Sequence, residues 1–194
     1  MDRSILLIYT GGTIGMKIDP QSQALAPFDF SHILEEVPEL KKFGYKLDSY
    51  SFDPVIDSSD ANIPFWQEIA RIIEENYTRY DGFVVLHGTD TMSYTASMLS
   101  FMLENLGKPV IFTGSQLPIG MLRTDGKENL ISSIEIAAAK DEEDRAMVPE
   151  VCVYFESQLY RGNRTTKYNA ENFRAFRSAN FPVLADVGIH IKFH

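Results

Sequence analysis

The sequence predicts an α/β fold: an open, mostly parallel sheet flanked by helices in a flavodoxin- or Rossmann-like three-layer arrangement, as a single domain. Three observations predict it. Short apolar runs alternate with stretches of helical periodicity, and loops rich in Gly, Ser, Thr or Asp join each pair. That alternation is the signature of βαβ units. Most of the runs are apolar throughout, as strands covered on both faces should be. The chain's 194 residues, 44% of them hydrophobic, can bury roughly 70% of the surface of the unfolded form, enough for a core without disulfide or metal.

Five runs read as strands: Ser4 to Tyr9, Lys46 to Phe52, Gly82 to Leu86, Pro109 to Thr113 and Val151 to Phe155. Phe65, Ile69, Ile72, Ile73 and Tyr77 recur at helical spacing, with Pro64 suited to a first helical position. A second helix is expected from about Thr91 to Asn105, stopped by Gly107 and Pro109. A third runs from about Asp125 to Lys140, with Leu130, Ile131, Ile134, Ala137 and Ala138 on one face, and Ser31 to Leu40 gives a shorter one interrupted by Pro38. The segment from Met16 to Asp29 has no periodicity and two prolines, so it reads as an extended loop; a long loop after a first strand often works as a lid. Phe181 to His194 carries a short hydrophobic run that looks like the start of a further element.

Charge and composition narrow the function. With 27 acidic and 18 basic residues the net charge is −9, and no cluster of Lys and Arg offers the basic face that a nucleic acid or an anionic membrane wants. The longest N-terminal apolar run, Ile5 to Tyr9, is too short for a signal-peptide core or a membrane span. A single cysteine, Cys152, cannot form an intramolecular bridge, which fits a reducing, cytoplasmic setting; lying inside a predicted strand, it reads as an inert core thiol. Four histidines, His32, His87, His190 and His194, show no metal-ligand spacing, and no G-x-S-x-G serine elbow occurs.

In a parallel sheet with helical crossovers, loops that leave the strands for helices share one edge, where ligands collect. The loops assigned to that edge are Thr10 to Gly15, Asp57 to Asp60, His87 to Thr91, Gly114 to Pro118 and Arg161 to Lys167. Taken singly, each has a plainer reading: Gly11-Gly12 as a tight turn with Thr13 capping, Thr89 and Asp90 as a helix cap, Asp57 to Asp60 as an ordinary turn, Lys167 as a solvated amine. Together they put hydroxyls, carboxylates and one amine on a single edge. A threonine hydroxyl becomes a nucleophile when a neighbour takes its proton, and a desolvated lysine held near a carboxylate can do so. Thr89, Asp90 and Lys167 supply that set, Thr13 supplies a second hydroxyl, and amides of the glycine-flanked turns can stabilise an oxyanion. The chemistry suited is acyl transfer to water, such as amide hydrolysis.

The motifs Thr10-Gly-Gly-Thr-Ile-Gly15 and His87-Gly-Thr-Asp-Thr91 resemble those of the bacterial L-asparaginase family, most closely its cytoplasmic type I branch. Asp57-Ser-Ser-Asp60, the run from Ser100 to Pro109, Thr113-Gly-Ser-Gln116 and Leu159 to Lys167 extend the resemblance over essentially the whole chain. The resemblance implies conversion of L-asparagine and water to L-aspartate and ammonia, with weaker action on glutamine, and neither cofactor nor metal. It implies Thr13 as nucleophile, Thr89, Asp90 and Lys167 as a second catalytic group, and Ser58, Ser59 and Asp60 as the loop holding the substrate's α-amino and α-carboxyl groups, with Asp90 sharing the amino group. It further implies a homodimer or homotetramer whose sites are completed by a smaller C-terminal domain of a neighbouring subunit. On that reading residues 1–190 are the N-terminal catalytic domain, residues 191–194 begin the interdomain linker, the smaller domain is absent from this chain, and the chain alone is poorly active. One departure is that no tyrosine lies between Tyr9 and Tyr45, where the family places one near the nucleophile; a residue near Leu25 or Phe28 is expected to pack there instead. Two other readings share these motifs: the amidotransferase subunit that frees ammonia for glutaminyl-tRNA synthesis, which normally carries an extra domain before the first motif, and a non-catalytic amino-acid-binding domain.

Overall fold

The computed structural model describes residues 3–18, 25–27 and 33–194. Strands β1 (Ser4–Tyr9), β4 (Lys46–Ser51), β5 (Gly82–Leu86), β6 (Val110–Thr113) and β7 (Val151–Phe155) are parallel, as the apolar runs predict. The sheet continues through β8 (Gln158–Arg161), β11 (Ala185–Val187) and β12 (Ile191–Phe193), each antiparallel to its neighbour, to give eight strands in the order β12-β11-β8-β7-β6-β5-β1-β4. The central strands β5, β6 and β7 are buried throughout, whereas the edge strand β4 is partly exposed, which is why its sequence pattern is the weakest of the five.

Helices cover both faces. On one, Ile33, Val37 and Leu40 from α1 (Ile33–Glu36) and the 3-10 turn Pro38–Phe43, with Leu130 and Ile134 of α4 (Gly126–Ala138), pack on Ile5, Leu7, Val84, Ile111 and Cys152. On the other, Phe65, Ile69 and Ile73 of α2 (Ile63–Asn76) and Met92, Ala96 and Leu99 of α3 (Met92–Met102) pack on Leu6, Ile8, Phe83, Val85, Phe112 and Val153. The period-2 side chains of each strand thus divide between two cores. Helix α2 begins where expected: the Asn62 side chain accepts from Phe65 N at 3.1 Å.

The crossover through α1 steps outward from β1 to β4, and those through α2 and α3 step the other way on the opposite face, so the three share one hand. From β6 to β7 the chain steps in the same direction as from β5 to β6, but α4 lies on the α1 face. That connection has the opposite hand, the left-handed exception to a rule that holds for about 98% of parallel crossovers. The reversal of direction at β1 makes the C-terminal ends of β1 and β5 the topological switch point, where open α/β sheets bind ligands.

Several expectations need correction. Residues 16–29 are not wholly loop: β2 (Met16–Ile18) and β3 (Leu25–Pro27) pair as an antiparallel hairpin. Three-residue strands leave no periodicity to detect. Leu25 pairs with Ile18 there, and Phe28 and His32 lie outside the described residues. The short helix expected to Leu40 ends at Glu36, because Pro38 opens the 3-10 turn instead. Helix α3 spans Met92–Met102, shorter than expected at both ends. Ile191–Phe193, in the stretch expected to start a further element, form the edge strand β12. Finally, segment 161–167 is not a loop leaving a parallel strand. Because β8 runs back along β7, Arg161 sits opposite Cys152 at the N-terminal edge; the turn Gly162–Arg164 and β9 (Thr165–Lys167), which pairs with β10 (Phe176–Ser178), then return the chain along α3.

Candidate active site

The register brings three loops out level. Tyr9 pairs with Leu86, and Leu86 with Thr113, so Thr10, His87 and Gly114 leave β1, β5 and β6 side by side. Thr10 N and Oγ1 both donate to Leu86 O, at 3.0 and 2.9 Å, and His87 N donates to Thr113 O at 3.0 Å. Glycines then let the loops touch. Gly12 has φ +91°, and a Cβ there would stand 2.6 Å from Gly88 N; a Cβ on Gly88 would stand 2.5 Å from Ser58 Oγ. Only hydrogen fits at either place. The loop bearing Thr13 is therefore laid on the loop bearing Thr89, and that loop on the turn bearing Ser58.

Thr13 opens the 3-10 turn Thr13–Gly15, half-buried at the end of β1. Thr89 and Asp90 do not cap α3; that position is Thr91, whose hydroxyl instead donates to Ser58 O at 2.6 Å. Thr89 and Asp90 face Lys167, whose Nζ lies 2.8 Å from Thr89 Oγ1 and 2.7 Å from Asp90 Oδ1. The lysine side chain is 14% exposed against 73% for Asp90, so the amine is withdrawn from solvent while its carboxylate partner meets the solvent. A cleft of about 280 Å³ opens on this pair, lined by Asp90, Tyr94, Thr166, Lys167 and Tyr168.

The substrate-loop candidates divide. Ser58 is buried against Gly88, while Ser59 and Asp60 are exposed on the same 3-10 turn, Ser58–Asp60. Asp57 holds the turn, accepting from Ser59 N at 2.9 Å and Ser59 Oγ at 2.8 Å, and these bonds keep its carboxyl below the usual range. The structure thus brings Thr89, Asp90 and Lys167 into contact, seats Ser58 behind them, sets Thr13 on the abutting loop and leaves Ser59 and Asp60 free of that contact.

His87 stands behind the loop, its ring between Phe65 and Phe112, with centroids at 5.5 and 6.0 Å. Burial lowers its pKa to about 4, against the opposing pull of the Gly88 carbonyl 2.7 Å from Nδ1, so the imidazole is neutral and packs as an aromatic. Burial likewise raises Tyr9 to about 12 and the Cys152 thiol well up, so neither ionises near neutrality. Among the described residues no group of His, Cys, Asp or Glu could hold a metal, and no helix is long and apolar enough to cross a membrane.

Two contributors lie beyond sequence reasoning. Gln116 accepts from Thr89 Oγ1 at 3.4 Å and donates through Nε2 to Ala170 O at 3.1 Å and Asn172 O at 3.0 Å. Asp125 turns from capping α4 to accept from Gln116 N at 2.9 Å and Leu117 N at 3.1 Å. A larger cleft of about 650 Å³, between α4 and the β7–β8 turn, is lined by Arg123, Glu128, Glu135 and Glu156 among others and by no lysine, so it holds no hydroxyl–amine pair.

The fold has known counterparts. Residues 4–194 match the family model described as asparaginase, N-terminal. The chain belongs to the asparaginase family. It is 48% identical over 191 residues to L-asparaginase 1 of Escherichia coli strain K12, a match covering 98% of this chain and 55% of that one. It is 42% identical over 211 residues to the 60 kDa lysophospholipase of Mus musculus, covering 98% and 36%. The crystal structure of L-asparaginase I from Vibrio cholerae superposes with a TM-score of 0.87 at 43% identity, covering all of this chain and 56% of that one. The chain thus spans about half the length of these two L-asparaginases.

Proposed function

We propose that the protein carrying this chain hydrolyses the side-chain amide of L-asparagine, giving L-aspartate and ammonia, with weaker action on L-glutamine. The observation that carries the reading is the withdrawn Lys167 amine held between Thr89 and Asp90. Lysine so placed can exchange a proton with a neighbouring hydroxyl, and threonine needs such a partner. Names of relatives at 48% and 43% identity support the substrate.

In this mechanism Thr13 Oγ attacks the side-chain carbonyl carbon, and its proton passes through the site's hydroxyls to the departing nitrogen. The carbonyl oxygen takes the negative charge and is held by backbone N–H groups of the glycine-bearing loops. Collapse breaks the C–N bond, releases ammonia and leaves an ester on Thr13. Water then attacks the ester; Thr89 and Lys167 receive the water's proton and return it to Thr13 as aspartate leaves. Ser58, Ser59, Asp60 and Asp90 bind the α-amino and α-carboxyl groups, and the steps use no cofactor.

The assignment rests on residues 1–190 acting as the catalytic domain, with residues 191–194 leading to a further domain and a neighbouring subunit of a homodimer or homotetramer completing the site. A cytoplasmic, non-membrane, non-nucleic-acid setting suits the charge of −9 and the buried thiol. An ammonia-release assay on the full-length protein tests the reading: it expects turnover of asparagine that Thr13→Ala and Thr89→Ala each lower by at least about a thousandfold. Normal turnover in either variant removes that residue from the mechanism. The 194-residue chain alone is expected to be nearly inactive in the same assay.

A further inference from the structure

Hydrogen-bond accounting at Gln116 fixes where protons sit in the Thr89–Lys167 pair. Both amide hydrogens of Gln116 are committed, because Ala170 O and Asn172 O are acceptors and nothing else, at 3.1 and 3.0 Å. Exchanging the amide's oxygen and nitrogen would set three oxygens against one another, so Oε1 is the atom that faces Thr89. An amide oxygen carries no hydrogen, and the 3.4 Å contact is therefore made by the Thr89 hydroxyl hydrogen. Its only hydrogen spent, Thr89 Oγ1 can meet Lys167 Nζ at 2.8 Å only through a lone pair, and Lys167 donates both there and to Asp90. The resting chain runs one way: amine to hydroxyl to amide carbonyl.

The same side chain spans the two segments that must meet. Thr89 comes from the β5–α3 loop, while Lys167 arrives by the long return from the opposite edge of the sheet. Gln116 bonds to Thr89 directly and to the carbonyls three and five residues beyond Lys167. Its own backbone is fixed by Asp125, which Asn129 braces at 3.3 Å.

We propose that Gln116 is a positioning residue for the reaction: it holds Thr89 and the Lys167 segment in register and keeps the Thr89 hydrogen turned away from Lys167 until substrate arrives. In this role it acts through Thr89 and the Lys167 segment. The proposal rests on the asparaginase reading and is tested so that the two fail separately.

The variants are Gln116→Met, which keeps length and loses every side-chain hydrogen bond, and Asp125→Asn, which loosens the Gln116 backbone without touching its side-chain amide, both made in the full-length protein. For Gln116→Met the expected result is a fall in kcat of about ten- to a hundredfold, the scale of a misplaced reacting group, with KM for asparagine within about threefold and aspartate binding by calorimetry unchanged. Asp125→Asn should lower kcat in the same sense by less. A crystal structure of Gln116→Met should show Lys167 Nζ displaced from Thr89. Wild-type kcat, a loss wholly in KM, or an undisplaced Lys167–Thr89 pair overturns the proposal; should Gln116→Met not fold, wild-type kcat in Asp125→Asn does so. If the wild-type protein releases no ammonia from either amide, the asparaginase reading fails, and the crystal structure still decides the positioning role.

Discussion

Thr91 shows how one hydroxyl can set the shape of a binding loop. At the N-cap of α3 it leaves the helix's own N–H groups alone and donates to Ser58 O at 2.6 Å, tying the proposed substrate loop to the helix that follows Thr89 and Asp90. Thr91→Val keeps the volume and removes that bond, leaving the Ser58 carbonyl only the Ala61 N–H at 3.1 Å, at a cost of about 1 kcal/mol. Its expected signature is a rise in KM for asparagine of about fivefold with little change in kcat, read from steady-state kinetics. Lys167 is the opposite case, a group that the proposed mechanism places inside the chemistry: Lys167→Met, which keeps an unbranched apolar stem and removes the amine, should lower kcat by at least about a thousandfold while circular dichroism stays native. Residue types were legible in advance, and partners were not. Thr89, Asp90 and Lys167 stand out in the sequence as a hydroxyl, a carboxylate and an amine in loops, but Gln116 looks like any loop glutamine, because its partners lie 54 and 56 residues further on.

Elements were legible in proportion to how completely they are buried. Strands β5, β6 and β7 announce themselves because both faces are covered and every position is apolar. The three-residue strands β9 to β12 mix exposed with partly or fully buried positions and carry no period long enough to detect. The antiparallel return through β8 and β9 is the costly omission, since it delivers Lys167: the expectation of a strand-exit loop put Lys167 near Thr89 and Asp90 by the wrong path. Among loops, contact depends on glycine. Gly12→Ala must place a Cβ 2.6 Å from Gly88 N at φ +91°, a conformation costing on the order of 1–3 kcal/mol before any clash. The expected outcome is a melting temperature lower by roughly 5–10 °C together with loss of ammonia release, measured by calorimetry and assay on one preparation; an active variant of native stability would show that the loops need not touch.

For the whole molecule, the buried neutral His87 couples folding to pH. Its pKa is lowered from 6.5 to about 4 by burial, so between those values the unfolded chain binds a proton that the folded chain refuses. Stability is full above pH 6.5, falls as the pH drops toward 4, and loses on the order of 3 kcal/mol to this group by the end of the window. Denaturant titrations at several pH values should show that slope. His87→Gln, which cannot titrate, should flatten it while itself lowering stability at pH 7 through lost packing on Phe65 and Phe112.

By itself the sequence determined the layered α/β architecture, the faces of α2 and α4, the loops that carry reactive groups and the family. These follow from periodicity and residue type, which are local and add up along the chain. The tertiary structure alone decided that the amine of Lys167 meets the hydroxyl of Thr89, 78 residues away, that the crossover through α4 takes the opposite hand, and that Gln116 stands between the pair and the segment beyond it. A hydrogen bond requires atoms about 3 Å apart and correctly directed, and such distances depend on the path of the whole backbone.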